Sequence, residues 1–404
     1  MATSNDKIRS WSGPAILSYG FRPFFLLGAL WAAVAMVVWI FMLAGHEVLP
    51  TAFDPVSWHA HEFLFGYLGA VLAGFLLTAV PNWTGRLPVV GWPLGGLVVL
   101  WIAGRIAVAV SGWMPWTVAM AIDLSFPVAL SAVLAREIIS GRNWKNLAVL
   151  AITIGMAVAN AFYHYDAAQS GYPAGGAGMR LGLAMAVLLI SLIGGRIVPS
   201  FTRNWLAKRR SDILPTPANR NDTAVLLLTV AALALWVLWP AQWFSVAGCA
   251  LTGVAHVWRL SRWAGHRTGS EPLVWVLHAG YAFVPLGFLA IVTGAVWPAM
   301  APASLHIWMA GAVGLMTLAV MTRASLGHAG LPLHATRPIA ALYVALIVAV
   351  FARFIAGAFA GQDWLLHVAA TAWILSFGGF AVLYWPILAH PRQAMKKPNV
   401  GARS

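Results

Sequence analysis

A chain of 404 residues in which 61% of side chains are hydrophobic and only 9% charged cannot present a water-facing surface, because soluble domains carry about 25% charged residues. The net charge of +14 stands in short clusters between apolar runs, which argues against a nucleic-acid surface and fits topology signals. The single cysteine, Cys249, excludes an internal disulfide, a thiolate metal cluster and a covalent c-type haem motif, so any tight metal site must draw on the twelve histidines.

These features predict an all-α polytopic membrane protein. Met1 to Ser18 is polar and lacks the apolar core and cleavage site of a signal peptide. Hydropathy then gives about 12 transmembrane helices, at 21–44, 58–81, 88–111, 114–139, 146–165, 178–200, 222–240, 242–260, 272–297, 303–323, 338–360 and 364–389. Lys and Arg gather in the loops after even-numbered spans: Arg86; Arg136, Arg142 and Lys145; Arg203, Lys208, Arg209, Arg210 and Arg220; Arg259, Arg262 and Arg267; Arg323 and Arg337. The opposite loops carry only Arg180, and both ends are basic, with Lys7 and Arg9 at one and Arg392, Lys396, Lys397 and Arg403 at the other. Positive loops stay in the cytoplasm, so both termini are expected there, which requires an even number of spans.

The expectation is one integral membrane domain over 1–404, with possible halves 1–201 and 222–404 joined by a cytoplasmic loop at 202–221. A four-helix rhythm runs beneath it. The second, sixth and tenth spans end in the similar phrases Leu77-Thr78-Ala79-Val80-Pro81, Arg196-Ile197-Val198-Pro199-Ser200 and Leu318-Ala319-Val320-Met321-Thr322, which suggests three arcs of four helices.

The chemistry concentrates in Trp58-His59-Ala60-His61-Glu62, at the mouth of the second span. Neutral imidazole serves copper and haem iron, and ionisable groups inside a membrane mark function more often than not. Residues two apart on a helix point to different sides, so His59 and His61 are expected to meet different partners. His306 opens the tenth span at the same depth and offers a third ligand, followed by His164 and His367. At the other side of the membrane, His278 lies about two turns inside the ninth span, and with His328 and His256 suggests a second site. For each of these the alternative is a histidine bonded to a helix end or a carbonyl. Arg105 and Asp123 on adjacent spans are expected to pair. Glu62 has no basic neighbour in sequence, which leaves it as the candidate catalytic proton carrier. Arg196 either reaches the cytoplasmic interface or holds a propionate.

Five stretches in order resemble the NnrS family over nearly the whole chain: Gly20-Phe21-Arg22-Pro23-Phe24-Phe25, Trp58-His59-Ala60-His61-Glu62-Phe63-Leu64-Phe65-Gly66-Tyr67, Thr78-Ala79-Val80-Pro81-Asn82-Trp83-Thr84-Gly85, Gly194-Gly195-Arg196-Ile197-Val198-Pro199-Ser200-Phe201-Thr202 and Met321-Thr322-Arg323-Ala324-Ser325-Leu326-Gly327-His328. The resemblance implies a multi-pass protein of the bacterial inner (cytoplasmic) membrane that binds haem b and copper and acts in nitric oxide metabolism and nitrosative-stress resistance. It carries over to His59, His61, Glu62, Arg196, Arg323 and His328; His278 and His306 join the candidate cofactor and metal ligands from their depth alone. Nitric oxide would be the small-molecule ligand, reduced or oxidised at a haem or haem and copper site toward the periplasm, with quinol or a separate redox protein supplying electrons. The alternatives are a non-catalytic nitric oxide sensor or metal-handling protein, and a secondary transporter, for which Pro127 and Pro285 inside spans speak.

Overall fold

The computed structural model describes residues 11–359 and 361–391; the basic ends Lys7, Arg9, Arg392, Lys396, Lys397 and Arg403 lie outside the described residues. Among these residues there is no strand. The long helices are α1 (Phe21–Leu43), α2 (Pro55–Thr84), α3 (Trp92–Ala109), α4 (Trp116–Ser140), α5 (Trp144–Ser170), α6 (Ala177–Lys208), α7 (Arg220–Leu238), α8 (Trp243–Ser261), α9 (Pro272–Val296), α10 (Pro298–Ala329), α11 (Arg337–Ala358) and α12 (Trp364–Ala389). Eleven of them are long and apolar enough to cross a bilayer. The exception is α8, whose hydropathy is lowered by His256 and Arg259. Both are buried between α7 and α9: His256 Nε2 lies 2.9 Å from Thr229 Oγ1, and Arg259 donates to Asp222 Oδ1 at 3.0 Å and to Tyr281 OH at 2.8 Å.

The twelve helices do not share the interior equally. In α2, α6 and α10 the most apolar window is 72%, 67% and 78% buried, against 33–50% in the other eight membrane-length apolar helices. These three touch one another at the centre, and α12 packs on α1 to close the ring around them. They are also the longest, at 30, 32 and 32 residues, well beyond the roughly 20 needed to span. Each contains a π-helical segment, Glu62–Tyr67 in α2, Ile190–Gly194 in α6 and Ile307–Leu315 in α10. The four-helix rhythm of the sequence therefore coincides with three long, π-distorted helices at the core.

Local chemistry explains the ends of α2. Asp54 accepts from the backbone N–H groups of Val56 (3.0 Å) and Ser57 (3.1 Å), and Pro55 stands at the first helical position, where its missing N–H costs nothing. Gly85 stops the helix in the left-handed conformation at φ 70°, as Gly330 stops α10 at φ 74°. At the ends of α6 and α10 the helix overruns its expected limit because hydropathy falls at the first cation, whereas a long cationic side chain follows the helix surface out to water without unwinding the backbone. Thus α6 continues to Lys208, taking in Thr202 and Arg203, and His328 occupies the last turn of α10 instead of the loop beyond it.

Candidate metal centre

His59 stands in the second turn of α2, on regular helix, so His61 follows it about 200° around the axis. The two rings consequently face different neighbourhoods. His59 packs against Trp39 at 4.3 Å and Phe63 at 4.6 Å between ring centres, and the ring of His306 lies 6.3 Å away with its plane inclined by only 17°. Two imidazoles that share one ion, with metal–nitrogen distances of about 2 Å each, hold their ring centres roughly 6 Å apart. His59 Nδ1 is buried and has no hydrogen-bond partner among the described residues. His306 Nδ1 lies 2.7 Å from the Pro302 carbonyl oxygen; an N–H there leaves Nε2 as the lone-pair nitrogen, the arrangement that orients a ligating histidine. Both rings line a cavity of about 70 Å³ together with Tyr67, Met309, Arg353 and Trp373, and no carboxylate is among the residues that line it.

His61 enters a dense polar cluster instead. Its Nδ1 is 3.1 Å from Glu62 Oε1, and its Nε2 is 2.9 Å from Asn160 Oδ1 and 3.1 Å from Asp123 Oδ2. Arg105 donates to Glu62 Oε1 at 2.6 Å and also to Asp123 Oδ1, while Trp31 donates to Glu62 Oε2 at 2.7 Å. Asn160 Nδ2 and His164 Nε2 complete the shell of Asp123 Oδ2 at 2.7 and 3.1 Å. The expected Arg105–Asp123 pair is present. Glu62, however, is not free: its basic partner is Arg105, brought from α3. Two glycines make room for this approach. A Cβ on Gly66 would fall 2.6 Å from Arg105 Nη1 and 2.8 Å from Glu62 Oε2, and one on Gly104 would fall 2.7 Å from Asp123 Oδ1.

One atom from each of His61, Asp123 and His164 lies within 4.8 Å of the others, a group of three that could hold a metal ion. Asp123 was expected only as a partner for Arg105, and His164 only after His306. Asn160 and His164, four apart on α5 and therefore on one face, were the legible signal. Nothing in the sequence marked Arg353, the seventeenth residue of α11, as a neighbour of His59 in this cavity.

The remaining candidates separate. His278 Nε2 is 2.7 Å from Thr202 Oγ1. His256 bonds Thr229 and Tyr281, and His328 packs on Tyr19 and Phe21 at 5.2 and 5.4 Å, so these three histidines have separate partners and form no common site. Arg196 Nη1 lies 3.3 Å from Asn146 Oδ1. Arg323 sits over the Phe201 ring at 4.1 Å and shares with His328 a cavity of about 370 Å³. Because His306 and His328 are 22 residues apart on α10, this cavity lies about 30 Å from the His59–His306 pair.

No curated protein matches the chain. The family model described as NnrS protein matches residues 15–392, nearly the full length, and the two histidine-bearing ends of the core helices fall within it. The protein is thus a multi-pass membrane member of the NnrS family, with a role in the nitric oxide response.

Proposed function

We propose that this is a haem- and copper-binding protein of the bacterial inner membrane that captures nitric oxide at a metal held by His59 and His306. The observation that carries this reading is the pair of near-parallel imidazoles 6.3 Å apart beside a small cavity, one of them with an orphaned buried nitrogen. Two neutral imidazoles suit copper, and the space beside them suits an ion with a diatomic ligand. We assign the porphyrin to the larger cavity, whose volume of about 370 Å³ falls in the range of roughly 300–1,000 Å³ common for cofactor sites. There His328 would supply an imidazole and Arg323 a partner for a propionate. When bound, the metals supply the nitric oxide affinity; the protein orients the ligating rings and keeps water out.

Binding without turnover is favoured over reduction by one feature: Glu62 is held by Arg105, Trp31 and His61 and does not line the His59–His306 cavity, so that cavity lacks a carboxylate to deliver protons. The test is metal analysis and optical spectroscopy of the purified wild type beside His59→Ala, His306→Ala, His164→Ala and His328→Ala, with and without nitric oxide. Loss of copper in the first two alone supports the reading; loss in His164→Ala instead would move the ion to the His61–Asp123–His164 group. Steady consumption of nitric oxide under quinol, beyond the metal content, would show turnover.

A further inference from the structure

The inner faces of α2, α6 and α10 enclose a line of cavities along the bundle axis. The first is that of His59 and His306, reached by Phe63, Leu64 and Tyr67 of α2, Leu183 of α6 and Val313 of α10. Further along the same helices, Val71, Phe75, Ile193, Ile197, Thr317 and Val320 wall a second cavity of about 60 Å³. Phe75, Ile197 and Val320 also line the third, the cavity of about 370 Å³ beside Arg323. The second and third cavities thus share walls. Between the first and the second stands one hydrogen bond: Tyr67 OH and Thr317 Oγ1 are 2.5 Å apart. Thr317 Oγ1 has backbone carbonyls of Val313 and Gly314 at 2.6 and 2.9 Å to donate to, so Tyr67 donates to it.

The π segments account for the voids. The extra residue per turn shifts side chains out of their regular rows, and the segments of α2 and α10 end at Tyr67 and Leu315, just before the second cavity, while that of α6 lines it. Close-packed interiors leave few voids larger than a water molecule, so three in register on three helices are not packing noise. The second cavity offers one hydroxyl, on Thr317, whereas a buried water needs two to four polar partners. Its wall therefore favours apolar occupants over ions and strongly hydrogen-bonding solutes.

We propose that the second cavity binds small uncharged apolar molecules, dissolved diatomic gases among them, and that it forms an axial passage between the proposed porphyrin cavity and the His59–His306 pair, closed by the Tyr67–Thr317 bond. Only the purpose of the passage rests on the proposed metal centre; its occupancy does not. Xenon is the probe, in pressurised crystals of the full-length protein. The expected result is xenon between Val71, Ile193 and Val320, and its loss in Ile193→Trp or, where that variant does not fold, Val320→Phe. In protein of unchanged metal content, the filled variant should slow nitric oxide arrival at the metal tenfold or more after flash photolysis, and Tyr67→Phe should speed it. No xenon in the unmodified protein overturns the proposal, as does an unchanged arrival rate once the cavity is filled. Xenon that is bound and displaced, in a protein that shows no metal or nitric oxide spectrum, supports the cavity and sinks the metal centre alone.

Discussion

His59 and His61 are separated by one residue and live in opposite environments. On the His61 side the ring nitrogens, both carboxylates and the guanidinium nitrogens that reach them find partners within about 3 Å among α2, α3, α4 and α5; Arg105 Nε alone of the guanidinium nitrogens lacks one, and the cavity beside Arg105, Asp123 and Asn160 is only about 30 Å³. On the His59 side a buried nitrogen has no partner, the neighbours are rings, and a cavity opens toward His306. A largely satisfied buried network orders the helices that build it, while an unpartnered ring nitrogen beside a larger cavity is poised for something that arrives from outside. The contrast assigns architecture to one imidazole and binding to the other.

The sharpest way to break that contrast is to remove Arg105. Arg105→Met leaves Glu62 and Asp123 facing each other's field without a guanidinium, and should destabilise the fold by about 3–5 kcal/mol, seen as a lower thermal midpoint in detergent. A midpoint unchanged from the parent would mean that the cluster does not hold these helices together. Next comes His306→Ala, for which copper affinity should drop at least about 100-fold, more than changes to groups behind the ligands usually cause, while the melting of the metal-free protein barely moves. Copper retained by that variant removes the His59–His306 assignment.

A subtler probe is Gly66→Ala. The added methyl group would press on Arg105 and Glu62 and should cost about 1–3 kcal/mol, with copper binding intact, as calorimetry on matched samples would reveal. The smallest effect is expected from Thr202→Val. It strips His278 of its hydroxyl partner, should cost about 1 kcal/mol, and should leave metal content and the optical spectrum as they were. Metal loss in that variant would reopen His278 as a ligand.

The polarity pattern carried most of the architecture. An apolar run must bury its backbone polar groups within itself when no water is near, so twelve runs of the right length commit the chain to helices before any of them meet. The exception, α8, shows the limit of the rule. Hydropathy charges Arg259 and His256 as though they faced lipid, and only their partners Asp222, Thr229 and Tyr281, on other helices, reveal that they do not. The angular separation of His59 from His61 was equally legible, because it follows from helix geometry alone.

What the chain could not announce by itself was which distant residues would face them. Glu62 looked unpaired because its counter-ion is 43 residues away, and His59 meets His306 across nearly two thirds of the sequence. Helix formation obeys local rules, but the rotation of each helix and the extra π residues in α2, α6 and α10 answer to packing against neighbours. That packing, and nothing in the order of residues, decides that one imidazole is locked among charges while its near neighbour looks into an open space.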